Sequence, residues 1–299
     1  MSKLILKELE TLKDELKTEK DVFNWLVENQ NFCKTLRKSE SKFSDGLPLE
    51  FISFAVNEKG ERLKAEDSQE IEDTGKLKVK CIINATNILD SHRDLHIKGI
   101  WKNSLAQKRL IYLCVEHEFN FKGIISDQVK AYTQMFSFKE LGYDYEGETE
   151  CLVFDCVLIK DDIHAENKYI YDRYKKGKIY NHSVRMQYVK EFFCLDSDDP
   201  EHFQFKENYD KYAAMVANKE ALDSYKWFYA VIEAKVKDEG SAVVKGSCFA
   251  TPTLEVTQIK NKLQTETPFV DKGEPPVSTQ ENPGQGTEAE KKWNEFLKR

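Results

Sequence analysis

In LKVKCIINA, residues 77–85, the apolar Leu77, Val79, Cys81, Ile83 and Ala85 alternate with Lys78 and Lys80, a period of two that predicts a β-strand with one face in a core. The same reading extends to both sides. LEFISFAV at 49–56 precedes it, and LIYLCV at 110–115, KGIIS at 122–126, AYTQMFSF at 131–138 and CLVFDCVLI at 151–159 follow, all of strand length and rich in β-branched or aromatic residues. One mixed sheet or β-barrel is implied. Helical spacing interrupts it at 163–176, where Ile163, Tyr169, Ile170, Tyr171 and Tyr174 precede Gly177, a residue favoured just past a helix end. The fold class expected is therefore α+β, a β-barrel or mixed-sheet core with surrounding helices.

The ends of the chain read differently. Ile5, Leu9, Leu12 and Leu16 repeat with helical spacing, and Asp21 is placed to cap a second helix presenting Val22, Trp25, Leu26 and Asn29, so residues 1–45 form a helical extension. Their apolar stripes need a cover, either the main domain or another chain. Residues 46–258 form the core, with a partly helical insertion at about 196–226. Residues 259–299 hold four of the seven prolines and three of the thirteen glycines and read as a flexible linker. It ends in a short helix in which Thr287 and Glu290 have capping-box spacing and Trp293, Phe296 and Leu297 share a face.

Composition removes several function classes. At 40% hydrophobic and 32% charged residues the chain has the make-up of a soluble folded protein. Its apolar runs, such as residues 111–115, are far short of the roughly 20 residues that cross a bilayer, and its first residues lack a signal-peptide layout. An intracellular protein without a membrane partner is expected. A formal net charge of −7 gives no general attraction to nucleic acid. The seven cysteines are scattered without a C-x-x-C pair, which points to reduced apolar side chains rather than disulfides or a structural zinc site. Phosphate-binding glycine loops, dinucleotide fingerprints, G-x-S-x-G and H-E-x-x-H are all missing, so no cofactor is expected.

Histidine and serine are left to carry chemistry. His117 follows the apolar strand LIYLCV, a position that holds an imidazole in one orientation while leaving it accessible, as a general base requires. Read alone, such a residue is more often a histidine satisfying a local turn than a catalytic base. In NHSVRMQYV, residues 181–189, Val184, Met186 and Tyr188 share one strand face while Ser183, Arg185 and Gln187 share the other. Ser183 then lies on a polar surface beside a cation able to stabilise developing negative charge. His182 points to the opposite face and is a poor base for Ser183, which leaves His117 as the candidate. Read alone, Ser183 is an ordinary strand serine. A further run, DSHRDLHIKGIW at 90–101, alternates His92, Asp94 and His96 and gives a minor metal-site reading, against a charged turn in which Gly99 allows a bend.

Four stretches in order, DSHRDLHIKGIWKNS, LIYLCVEHEFNFKGIISD, NHSVRMQYV and EGSAVVKGSCFATPT, together resemble the prohead serine proteases of tailed bacteriophages, capsid maturation enzymes related to herpesvirus assemblin. The likeness covers about residues 77–256. It implies a catalytic histidine at His117, a nucleophile at Ser183 and an acidic partner at Glu239, in a Glu-x-Ser-x-Val segment. Arg185 then stands near the oxyanion. The chain departs from the resemblance where Arg93 and Arg185 replace frequent glycines, and where the 196–226 insertion lengthens the path to Glu239. What the resemblance implies is an assemblin-like fold and a serine endopeptidase acting on capsid and scaffold proteins, within the procapsid in the host cytoplasm and possible as a homodimer. The alternative is a catalytically inactive scaffold or internal capsid component that binds through its terminal helices.

Overall fold

The computed structural model describes residue 16 and residues 18–39, 74–107, 109–160, 165–224 and 226–259. The expected helix through Ile5, Leu9 and Leu12, the strand at 49–56, and the linker with its terminal helix lie outside these residues. The described chain runs through helices α1 (Glu19–Glu28) and α2 (Gln30–Ser39), strands β1 (Lys76–Ala85) and β2 (Asp94–His96), α3 (Lys102–Ala106), then β3 (Tyr112–Val115), β4 (Ile124–Ser126), β5 (Gln128–Ser137) and β6 (Glu148–Ile159). It continues with α4 (Ala165–Lys175), β7 (Asn181–Leu195), α5 (Phe203–Ala213), α6 (Glu220–Ser224), β8 (Trp227–Val243) and β9 (Thr253–Gln258). The α+β class follows directly.

These strands make two sheets. The first has the order β5-β6-β1-β9 and is antiparallel throughout. The second is organised by β8, whose 17 residues are the longest strand. Along one side β8 pairs antiparallel with β7 from end to end, while its other side takes β2 near one end and β3 near the other, both parallel. β4 extends that side from β3.

The expected barrel does not close. The first sheet ends at β5 and β9, the second at β4 and β7, so two open sheets stack face to face. Their shared core is made by Val79, Cys81 and Ile83 of β1 and Phe154 and Leu158 of β6, facing Leu113, Val184, Val236 and Ala242 of the second sheet. Gly240 of β8 sets how closely they approach, because a Cβ there would lie 2.8 Å from both Ile83 Cγ2 and Phe154 Cε2. Stacking buries the apolar faces, so nothing drives the edges to meet.

The helices cover what the sheets leave open. Ile170, Tyr171 and Tyr174 of α4 enter the shared core, and Gly177 closes that helix at φ +60°. Thr18, rather than Asp21, caps α1; Asp21 sits three residues on, and the two exchange side-chain and backbone hydrogen bonds of 3.1 and 2.8 Å. Val22, Phe23 and Leu26 of α1 and Cys33 of α2 pack against Phe193, Leu195, Trp227 and Tyr229 at one end of the β7–β8 hairpin, so the main domain covers the apolar face of α1. The insertion folds as α5 and α6 beside that same end, with Tyr209 and Tyr212 against Cys194 and Phe228. The opposite end of the hairpin is left to hold the site.

Candidate active site

Alternation along β8 separates two jobs. Gly240 and Ala242 face the sheet–sheet core, which directs Glu239 and Ser241 to the other face. The register carries this face sideways: Ser241 lies opposite Ser183 of β7 and beside Cys114 of β3, and Glu239 lies beside Tyr112. The β7–β8 ladder shifts between Val184 and Met186 on one strand and between Gly240 and Val236 on the other. Asp238 has φ +66° within the shift, and Arg185 is left without a ladder partner. Irregularities of this kind re-aim side chains next to functional sites.

His117 arrives from β3. The turn after Val115 places both Glu116 and His117 in the left-handed region, at φ +49° and +60°, costly for residues with side chains. Bonds to the end of β8 hold it there: Glu116 N donates to Ala242 O at 2.9 Å, Val244 N to Glu116 Oε1 at 2.6 Å, and His117 N to Ser241 Oγ at 3.1 Å. Gly123 closes the turn against Glu118, whose carbonyl would lie 2.0 Å from any Cβ at that position. So fixed, His117 Nδ1 meets Glu239 Oε1 at 2.8 Å, and Ser241 Oγ donates to Glu239 Oε2 at 2.7 Å.

The Glu239 side chain is wholly buried while that of His117 is 25% exposed. A carboxylate only accepts, so Nδ1 carries the proton between them, and Nε2 lies on the opposite side of the ring. The half-buried Ser183 hydroxyl makes no hydrogen bond to any described residue, His117 included. Its nearest ladder neighbour is Ser241, the residue that anchors the His117 main chain. The structure thus joins His117 directly to Glu239 and brings Ser183 beside the couple without closing the Ser–His contact.

Arg185 is exposed and carries positive charge toward the same face. Burial, then the charge of Glu239, pushes the Cys114 thiol up to about 12, and Arg185 opposes that rise. His182 faces the core, as its strand position requires, with Nδ1 donating to Thr251 O at 3.0 Å and Nε2 accepting from Tyr174 OH at 2.9 Å. Both ring nitrogens are committed.

The metal reading is redrawn. Asp90, Asp94 and His96, not His92, gather candidate ligand atoms within 4.8 Å of one another, all buried. Asp90 Oδ1 accepts from the main chains of His92 and Asp94 at 2.9 Å each, Asp94 Oδ2 accepts from Tyr188 OH at 2.5 Å, and His96 Nδ1 meets the Asn84 amide at 2.9 Å. These bonds tie the turn before β2 to β1 and β7.

A groove of about 640 Å³ opens beside the His117 turn, lined by Tyr112, Phe121, Ile124, Val157, Ile159 and Lys160. Phe121, four residues beyond His117, is fully exposed. Ser241 and Phe121 are the site residues that the sequence reading passed over, although the two-residue spacing of Glu239 and Ser241 was a signal that both share one strand face. No described helix is long and apolar enough to cross a membrane. Compared with known proteins, the chain matches no family model, no curated protein and no solved structure.

Proposed function

We propose that the chain is a serine endopeptidase built on Ser183, His117 and Glu239. The observation that carries this reading is the His117 Nδ1 to Glu239 Oε1 bond of 2.8 Å, made by a buried carboxylate to a partly exposed imidazole beside a strand serine. Such a couple fixes the tautomer that a general base needs.

In the reaction, Ser183 Oγ attacks the scissile carbonyl carbon while its proton passes to His117 Nε2. Glu239 stabilises the imidazolium that results. Negative charge on the carbonyl oxygen falls beside Arg185, whose guanidinium or main-chain amide offsets it. His117 then returns the proton to the departing amine. Water, deprotonated by the same Nε2, splits the acyl-enzyme and restores Ser183. The resemblance to prohead proteases assigns the substrates as capsid and scaffold proteins cleaved inside the procapsid.

The test is acylation and processing in parallel. A fluorophosphonate should label Ser183 in the native chain, and neither Ser183→Ala nor His117→Ala should be labelled at a comparable rate. The native chain should also process co-expressed capsid and scaffold proteins where Ser183→Ala does not. Identical processing by both chains would sink the serine mechanism. A second reading, an inactive scaffold or internal capsid component, draws on the Ser183 hydroxyl having no hydrogen bond to His117. It requires that no label and no processing appear.

A further inference from the structure

Ser241 has no exposed surface, and its hydroxyl serves two groups at once. It donates to Glu239 Oε2 at 2.7 Å and accepts the His117 main-chain N–H at 3.1 Å. We propose that Ser241 is a positioning residue, one that sets the geometry of the His117–Glu239 couple without touching substrate. The inference rests on the serine endopeptidase reading for its catalytic consequence.

Two physical needs converge on this hydroxyl. A carboxylate with no exposure has two oxygens to satisfy, and His117 Nδ1 takes only Oε1. An unpartnered Oε2 would favour rotation of the carboxylate toward another donor, at the expense of the histidine bond. The second need is backbone: at φ +60° His117 relaxes unless its surroundings hold it, and its amide is held by Ser241. One oxygen therefore ties the carboxylate and the imidazole's own backbone to a single point on β8. Ser241 is not itself the nucleophile, because its hydroxyl is sealed and its proton is given to Glu239. Ser183, in register with it on β7, is partly exposed and free of such a bond.

The experiment compares the native chain with Ser241→Ala and Ser241→Thr, the latter keeping the hydroxyl. Fluorophosphonate inactivation gives a maximal rate and a half-saturating concentration, and proton NMR gives the downfield resonance of the His117 Nδ1 proton. In Ser241→Ala the maximal rate should fall about 10- to 100-fold, the loss seen when a group orienting a functional histidine is removed. Half-saturation should stay unchanged and the Nδ1 resonance should move upfield or broaden. Ser241→Thr should retain both rate and resonance. Should Ser241→Ala not fold, Ser241→Cys, with a weaker donor, should show the same losses in smaller measure.

Equal behaviour of the alanine and threonine chains in rate and resonance would overturn the proposal, as would a native chain with no downfield Nδ1 proton. The NMR arm needs no hydrolysis. A native chain that shows the resonance, and loses it in Ser241→Ala, supports the positioning role even where Ser183 is never labelled, an outcome that would instead defeat the endopeptidase reading.

Discussion

Glu239 Oε1 lies 2.8 Å from His117 Nδ1, across 122 positions of sequence, because β3 runs parallel to the end of β8 and delivers its following turn over the Glu239 side chain. Glu239 stands on β8 and His117 on the turn that follows β3, so the pairing of β3 with β8 fixes their relation. Glu239→Gln keeps the shape but replaces an acceptor-only carboxylate with an amide that presents N–H as readily as oxygen. Ser183 acylation by a fluorophosphonate should fall by about 10²- to 10⁴-fold, toward the loss known when an orienting carboxylate becomes an amide. An unchanged rate would remove Glu239 from the mechanism.

Phe121 is fully exposed, on the turn that carries His117, and lines the groove of about 640 Å³. A side chain with no burial adds nothing to folding, so Phe121→Ala should leave stability within about 0.5 kcal/mol. If the groove receives an apolar side chain of a protein substrate, processing of co-expressed substrate should slow by about 10-fold. Labelling by a small fluorophosphonate, which does not fill the groove, should stay at the native rate. Normal processing would show the groove to be idle.

The strand alternation of 77–85 made the sheet core legible, because a half-buried strand must present a period of two. Helix α4 was equally legible through its apolar spacing and Gly177. Open stacking rather than a barrel was not, since the same alternating strands serve both and only the pairing of their edges decides between them. The first part of β8, WFYAVIEAKV, and all of β9 went unread as strands. The former is buried on both faces over much of its length, which erases alternation. At the site, Ser183, Arg185 and the opposite orientation of His182 followed from strand parity, whereas the role of Ser241 needed the turn of β3 to be seen above it.

Gly240 offers a test of the packing beneath the site. An added Cβ would meet Ile83 Cγ2 and Phe154 Cε2 at 2.8 Å, both buried in the core between the sheets, and close-packed interiors yield little. Gly240→Ala should destabilise the fold by about 1–3 kcal/mol, read as a lower midpoint in urea. Because Glu239 and Ser241 flank this residue, the same change should slow Ser183 acylation even under conditions where the chain is fully folded. A native midpoint would show that the two sheets separate more easily than their contacts imply.

Cys114 lies beside Ser241 in the ladder, on the face that carries Ser183, and is a second candidate nucleophile there. Thiolate, not thiol, is the attacking form. Burial first, then the Glu239 charge, raises this thiol to about 12, so the group is protonated below that value and becomes a thiolate only as pH rises through it. Between pH 7 and 9, on the order of one molecule in a thousand or fewer carries the thiolate at this position. Iodoacetamide in that range should leave Cys114 unmodified in the folded chain, by peptide mass analysis, and should leave fluorophosphonate labelling of Ser183 intact. Cys114→Ala should label at the native rate, whereas loss of labelling in that variant would transfer the chemistry from the serine to the thiol.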